Sequence, residues 1–246
     1  MSDTFLIGMN AKAFYGAESA ALSALTELTN VKDVSLSLES GEADVTTRAN
    51  SGWRATASTL RECNAEFEML WKPGDAGFQA LKDAFLGGTN VRMAFLTGAM
   101  AGEDSEGPVG DFSITKFSRN EPLEEGVTVP VTAKLAVWDK WLEPPIIADG
   151  QALTVPAASV NSTVVGDVVA SQGDDMSDEA EVFSITSQTV AGVFAIDAAD
   201  GEVTIADNTS LGAEGTVHTL TVKVAHTTSG LPYATADVTV TVSAAA

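Results

Sequence analysis

The chain has 246 residues, 45 % of them hydrophobic, which suffices for one large or two ordinary cores and excludes general disorder. Its formal net charge is −21, from 13 basic and 34 acidic residues, so it lacks the clustered Lys and Arg by which proteins grip nucleic-acid phosphates. No stretch approaches the roughly 18 uninterrupted apolar residues of a membrane helix, and the single cysteine, Cys63, rules out an intramolecular disulfide.

At the N-terminus the apolar patch Phe5-Leu6-Ile7 has no basic residue before it and no small-residue cleavage site after it. It does not read as a signal peptide, and folding in the cytoplasm is expected. Residues 17–30 are ambiguous: Leu22, Leu25 and Leu28 hint at a helix, while the Ser and Thr content suits an arm or strand. Val34, Leu36 and Leu38 alternate with Ser35, Ser37 and Glu39, which predicts a strand with one buried face.

The segment 42–56 follows. Asn50-Ser51-Gly52 reads as a turn, with Trp53 directly after it and Arg48 and Arg54 nearby. An indole beside two guanidinium groups suits a protein–protein contact. A hairpin whose Trp53 folds back onto its own domain fits these residues equally well.

Ala65, Phe67, Met69 and Trp71 alternate with Asn64, Glu66 and Glu68, a second half-buried strand. Pro73-Gly74 then turns the chain and Asp75 can cap a helix carrying Phe78, Leu81 and Phe85 on one face, with Gly87-Gly88 ending it. Phe112 and Ile114 begin another strand, and the shift to Phe117 hints at a bulge. Val127, Val129, Val131, Ala133 and Leu135 form the buried side of a further strand, in which Pro130 needs a free edge or an irregularity.

A domain boundary is expected at Trp138–Pro145, where Pro144-Pro145 favours an extended connector and the basic residues stop. Up to residue 148 there are 12 basic and 21 acidic residues, and after it 1 (Lys223) and 13, the second set reading as solubility. This second half predicts about seven short strands, as in an immunoglobulin-like sandwich. The candidates are 164–170, 182–186, 193–196, 203–206, 216–225 and 236–242, with turns at Asp200-Gly201 and Ser229-Gly230 and a frayed tail at 243–246.

No hydrolase elbow, phosphate loop, dinucleotide fingerprint or Cys–His set is present, so an enzyme is not expected, nor any cofactor. His218 and His226 are eight residues apart on an expected strand, about 26 Å at roughly 3.3 Å per residue. They cannot share a metal, and read as satisfied surface histidines. Cys63 has no histidine in its half of the chain to activate it. Asp174, Asp175, Asp178, Glu179 and Glu181 lack calcium-loop spacing and read as a solvated loop.

Taken in order, E-A-D-V-T-T-R-A-N-S-G-W (42–53), F-E-M-L-W-K-P-G-D-A-G-F-Q-A-L-K-D-A-F (67–85) and G-D-F-S-I-T-K-F-S-R-N-E-P-L-E-E-G-V-T-V-P-V-T-A-K (110–134) resemble the major tail protein family of long-tailed, non-contractile bacteriophages. The likeness spans most of residues 5–145. It implies a mainly β protein: a tail-tube β-sandwich or barrel with one flanking α-helix over 1–147, followed by an immunoglobulin- or cadherin-like β-sandwich over 148–246. By that resemblance six subunits form a ring, ring closure pairs the strand edges, and rings stack into a tube that conducts genome DNA without binding it specifically. The segment 42–56, with Glu42, Asp44, Arg48, Trp53 and Arg54, would be the stacking loop, and the N-terminal segment and residues 136–147 would be contact arms. Six copies of the first domain would carry about −54, a wall that repels phosphate, and Glu39, Asp44, Glu66, Glu68 and Asp111 are the candidates to face the lumen.

Other implied partners are tail terminator, tape measure and baseplate proteins, with the virion tail as the location. Phe194-Ala-Ile-Asp197…Gly201-Glu-Val and His218-Thr-Leu-Thr-Val-Lys-Val-Ala are similar to cadherin domains, but Val160-Asn161 and His226 stand where ligand acids are expected, which argues against calcium. That domain would decorate the tube and could touch cell-surface glycans weakly. The alternatives are a two-domain bacterial surface adhesin, or the inner tube of a contractile tail or secretion apparatus.

Overall fold

The computed structural model describes residues 6–228 and 230–245, and of Asp174 the backbone alone. Phe5, Ser229, Ala246 and the Asp174 side chain, which entered the readings above, lie outside the described residues. The chain is mainly β, with one α-helix among the described residues.

It divides into two compact units, one of Lys12–Phe95 and Pro108–Asp139, the other of Leu96–Gly107, Lys140–Ala246 and the described part of Met1–Ala11. The division falls inside a strand rather than at Pro144-Pro145.

The first unit contains β1 (Lys12–Ala17), β2 (Thr26–Glu27), β3 (Val31–Asp44), β4 (Thr56–Leu70), α1 (Ala76–Gly87) and most of β5 (Asn90–Leu96), β6 (Gly107–Phe117) and β7 (Thr128–Leu142). The strands make one sheet in the order β2-β1-β5-β6-β7-β4-β3. One face is apolar: Ala65, Phe67, Met69, Val91, Met93, Phe112, Val129 and Val131 are buried there.

Helix α1 packs against this cluster through Phe78, Leu81 and Ala84. Asp75 caps it, its carboxylate accepting from Phe78 N at 2.8 Å, and Gly88 ends it in the left-handed region at φ 64°. Gly77 lets the helix lie close to its neighbours: a Cβ there would meet Leu28 Cδ1 at 2.3 Å, and that side chain would have to shift. Phe85, expected in the core, is 38 % exposed and stacks on Phe117.

Two open readings close here. Residues 17–30 are no helix beyond a single 3-10 turn at Leu22–Ala24, so the arm-or-strand reading holds. Pro130 lies mid-sheet opposite Glu68, its carbonyl accepting from Ser118 N just past the end of β6, so of the edge and the irregularity expected for it the irregularity is found. One expectation is corrected, that for β3. Val34 and Leu38 were expected on a buried face, yet they are 44 % and 52 % exposed. The strand is an edge, and β4 pairs with β7 only over Asn64–Leu70. Beyond Asn64, β3 and β4 therefore continue as a two-stranded ribbon, which cannot bury an apolar face within the subunit.

The second unit holds β8 (Ile146–Ile147), β9 (Gln151–Pro156), β10 (Val164–Asp167), β11 (Ala170–Ser171), β12 (Glu181–Gln188), β13 (Phe194–Ile196), β14 (Glu202–Ile205), β15 (Val217–His226) and β16 (Tyr233–Ser243). It is a β-sandwich. The sheet β12-β15-β16-β9 and the sheet β10-β14-β13 enclose Phe183, Phe194, Ile205, Leu220, Val222, Val238 and Val240, with β8-β11 as a short third pair. Alternation in β15 is clean: His218, Leu220, Val222, Val224 and His226 point inward.

The loop 97–106 belongs to this unit. Asp104 N donates to Tyr233 O at 3.0 Å, Tyr233 N to Gly102 O at 3.2 Å, and Thr235 Oγ1 to Glu103.

Candidate assembly surface

The β3–β4 ribbon ends in a hairpin tip with its own hydrogen-bonded frame. Val45 N donates to Ala55 O at 2.9 Å, Ala55 N to Thr46 Oγ1 at 2.9 Å, and Thr47 and Asn50 bond reciprocally around a 3-10 turn. Ser51 at φ 50° and Gly52 at φ 84° reverse the chain. Trp53 follows and is 80 % exposed, which removes the reading in which it folds back into the core.

Arg54 Nε sits 3.8 Å from Asp44 Oδ2, and Thr46 holds the Asp44 carboxyl below its usual range through side-chain and backbone hydrogen bonds. Leu60 (84 % exposed), Leu38 and Val45 are further bare apolar residues at other points along the ribbon. Glu42 and Arg48 are exposed on it as well. An aromatic and several aliphatic groups thus stand in water on one projecting, hydrogen-bonded element.

The sheet face opposite the core carries the acids. Ala65, Phe67 and Met69 point inward, so Glu62, Glu66 and Glu68 point away, and Glu39 lies directly opposite Glu62. Lys32 bonds Glu68 at 2.8 Å, which raises the lysine and lowers the acid from their ordinary values. Glu39 against Glu62 is a like-charge pair, unfavourable in a sheet.

Asp111 does not belong with these exposed acids. It is 3 % exposed, accepts from Ser19 N at 3.0 Å and Ser19 Oγ at 3.3 Å, and lies 3.7 Å from Arg92, which also pairs with Asp139. Its charge is spent inside the subunit, because burial requires a carboxylate to be paired. Asp44 lies at the hairpin tip instead, apart from the others.

The remaining candidates are structural. His218 and His226 are 2 % and 4 % exposed, not surface residues. Each Nε2 bonds a carbonyl, Leu211 O at 2.8 Å and Glu143 O at 2.7 Å, so the inward side of β15 accepts a ring at either end. Cys63 is buried, which pushes its thiol up.

The acidic stretch 174–181 is anchored rather than merely solvated. Asp178 pairs with Lys140 at 3.0 Å, Asp175 accepts from Trp141 N at 2.9 Å, and Glu179 accepts from Thr227 and Thr228. Among the described residues no group of three or more His, Cys, Asp or Glu is placed to hold a metal ion.

Sequence reasoning passed over Leu60 and Arg61 on the ribbon and Leu123, which is 100 % exposed in the β6–β7 loop. A signal was there: residues 45–61 hold three arginines and no carboxylate in a chain of net charge −21.

No family model and no curated protein matches the chain. Among solved structures, the tail of an empty gene transfer agent particle, described with C6 symmetry, is similar at 16 % identity, covering 53 % of this chain and 93 % of that one with a TM-score of 0.43. The SPP1 tail tube is similar at 17 % identity, covering 52 % and 74 % with a TM-score of 0.44. Mouse protocadherin-24 EC1-3 is similar at 14 % identity, covering 85 % and 58 % with a TM-score of 0.39. Overlaps this loose do not bear on what this chain does.

Proposed function

We propose that the chain is a tail-tube subunit of a phage-like virion: a structural, non-enzymatic protein that associates with its own copies into hexameric rings stacked as a conduit for DNA. The observation that carries this reading is the β3–β4 ribbon, which runs past its sheet, exposes Leu38 and Leu60 along its strands and ends in a tip that is held by its own hydrogen bonds and bares Trp53. Such a surface is costly to leave in water and has no use in a monomer. The order of motifs over 42–134 supports the same reading.

In the tube, Glu39, Glu62, Glu66 and Glu68 form an acidic face toward passing DNA, repelling phosphate so that the conduit does not grip its cargo. The β-sandwich of the second half decorates the exterior. Terminator, tape measure and baseplate proteins contact the tube ends, and the assembled protein resides in the virion tail.

The test is negative-stain electron microscopy of the purified chain, beside a variant with Trp53→Ala and Arg54→Ala. Rings or tubes are expected from the unaltered chain. The variant should keep the same circular dichroism but polymerise poorly, since interface Trp and Arg anchors are worth about 2 kcal/mol or more each. Dispersed monomers from the unaltered chain at high concentration would favour the surface-adhesin alternative and sink the proposal.

A further inference from the structure

The outer face of the sheet β12-β15-β16-β9 carries hydroxyl and carboxylate groups around a hollow. Alternation decides which side chains stand there. His218, Leu220 and Val222 of β15 and Ala236, Val238 and Val240 of β16 are buried, so Thr219, Thr221, Asp237 and Thr239 between them point outward. The register sets Thr219 beside Thr239 and Thr221 beside Asp237. At the sheet's edge Gly150, at φ 73°, turns the chain into β9, and its N–H donates to Asp237 O at 3.3 Å, which brings Asp149 to the same place. The result is a shallow, open cavity of about 540 Å³ lined by Asp149, Gly150, Thr219, Thr235, Asp237 and Thr239, a volume in the range that small ligands fill.

The polar groups of this lining are only partly engaged within the chain. Thr221 donates to one carboxylate oxygen of Asp237 at 2.9 Å, and Thr235 donates to Glu103. Among the described residues the Asp149 carboxylate, the second Asp237 oxygen and the Thr219 hydroxyl make no hydrogen bond, and Thr239 Oγ1 reaches only Gln151 O, at 3.4 Å. Lys223, the single basic residue after residue 148, has its ammonium 3.8 Å over the Tyr233 ring, two residues beyond Thr235 on β16. The two free charges at the cavity, Asp149 and Asp237, are therefore both negative.

These groups define what fits. A carboxylate only accepts hydrogen bonds, whereas a threonine hydroxyl both donates and accepts. The complement is a set of closely spaced hydroxyls on an uncharged frame. Adjacent strands lie about 4.8 Å apart, so one sugar ring can reach Thr219 and Thr239 together. We propose that this cavity binds a neutral saccharide, whose hydroxyls donate to Asp149 and Asp237 and accept from Thr219 and Thr239. Ligands bearing phosphate, sulfate or carboxylate are repelled by the two acids. The lining holds no aromatic ring to stack on, so a single contact is weak, roughly millimolar. Copies repeated along a particle would sum such contacts on a polysaccharide surface. That gain rests on the tube reading; the site itself does not.

The experiment uses the full-length chain and saturation-transfer NMR, which reads weak ligands on a monomer or a large assembly alike. The probes are the methyl glycosides of glucose, galactose, mannose and N-acetylglucosamine. Methyl glucuronide is the anionic counterpart, and putrescine is a small cation. Saturable transfer to at least one neutral glycoside is expected, with weaker transfer to the glucuronide. One altered chain carries Thr219→Val and Thr239→Val, which keep the branched strand shape but remove the hydroxyls. A second carries Asp149→Ala in the exposed turn. Each should keep the parent's circular dichroism and raise the dissociation constant of the sugar at least about tenfold.

No transfer to any neutral glycoside, undiminished binding by both folded variants, or tighter binding of the glucuronide overturns the site. Putrescine bound in place of the sugars overturns it too, because the acids would then mark a cation site. Each of these outcomes leaves the tube reading intact, since ring and tube formation is scored separately by electron microscopy.

Discussion

The carboxylate of Glu179 accepts from Thr227 Oγ1 at 2.9 Å, from Thr228 Oγ1 at 2.9 Å and from Thr228 N at 3.2 Å. Burial pushes its pKa up, but the three hydrogen bonds outweigh that and leave it below the ordinary glutamate value of 4.5. Asp178 is lowered too, chiefly by its hydrogen bond to Lys140. A carboxylate lowered in the folded state contributes stability above its unfolded value, and that contribution is lost as pH falls through the folded value.

The melting temperature of the second unit should therefore fall with acidification below about pH 4.5, and Glu179→Gln should show a shallower fall. Thermal scans between neutral pH and pH 3 check this, and equal slopes for the two chains would refute it. These bonds were not legible in the sequence, since Glu179 and Thr227 are 48 residues apart and no local pattern joins them. The inward histidines were missed for a related reason: His218 and His226 keep step with Leu220, Val222 and Val224, but a titratable ring reads as surface until a carbonyl partner is in view.

Among the elements, the helix was the most legible because its signals are local. Asp75, the spacing of Phe78 and Leu81, and Gly88 follow from capping and periodicity alone. Replacing Asp75 with Ala removes an acceptor for a first-turn amide and should cost about 1 kcal/mol, while Asp75→Ser should keep most of the stability. Urea denaturation of the three chains measures both, and equal midpoints for Asp75→Ala and the parent would show that the cap contributes nothing.

Strand β3 shows the limit of the same reasoning. Alternation located the strand and correctly set Leu36 against the core, but it could not reveal that β4 leaves β7 at Asn64 and carries Leu38 into solvent. Periodicity reports which face is apolar; whether that face is covered inside the chain or by another molecule depends on strand length and neighbours. The exposed face of Leu38 is thus the part of the candidate site that sequence pattern located and misassigned. Strands β8 and β9 were missed because Ile146–Ile147 is two residues long and the apolar residues of Gln151–Pro156 show no strict alternation.

At the scale of the whole molecule, the composition break near residue 148 pointed to two units but not to their true membership. Leu96–Gly107 lies far from the second half in sequence, yet it is part of the second unit, through Asp104 and Gly102 on Tyr233 and Glu103 on Thr235. A chain cut after Ile147 would therefore strip partners from this loop, leaving Asp104 N and Gly102 O without Tyr233 and Glu103 without Thr235. The clean excision ends at Asp139 and replaces residues 97–106 with an Asn-Gly turn, since β5 and β6 already pair antiparallel up to Ala94 and Val109. We expect this trimmed chain to be soluble, to unfold in one transition, and to build tubes narrower than those of the full chain, because the decorating sandwich is gone. The simple cut after Ile147 should give less soluble protein for the same amount of chain, because it leaves the loop 97–106 without its hydrogen-bond partners. Gel filtration, urea unfolding and electron microscopy of the two truncations decide between them. A trimmed chain that folds but forms no tubes would show that the sandwich is needed for assembly, and the decoration reading would fall while the tube itself remained.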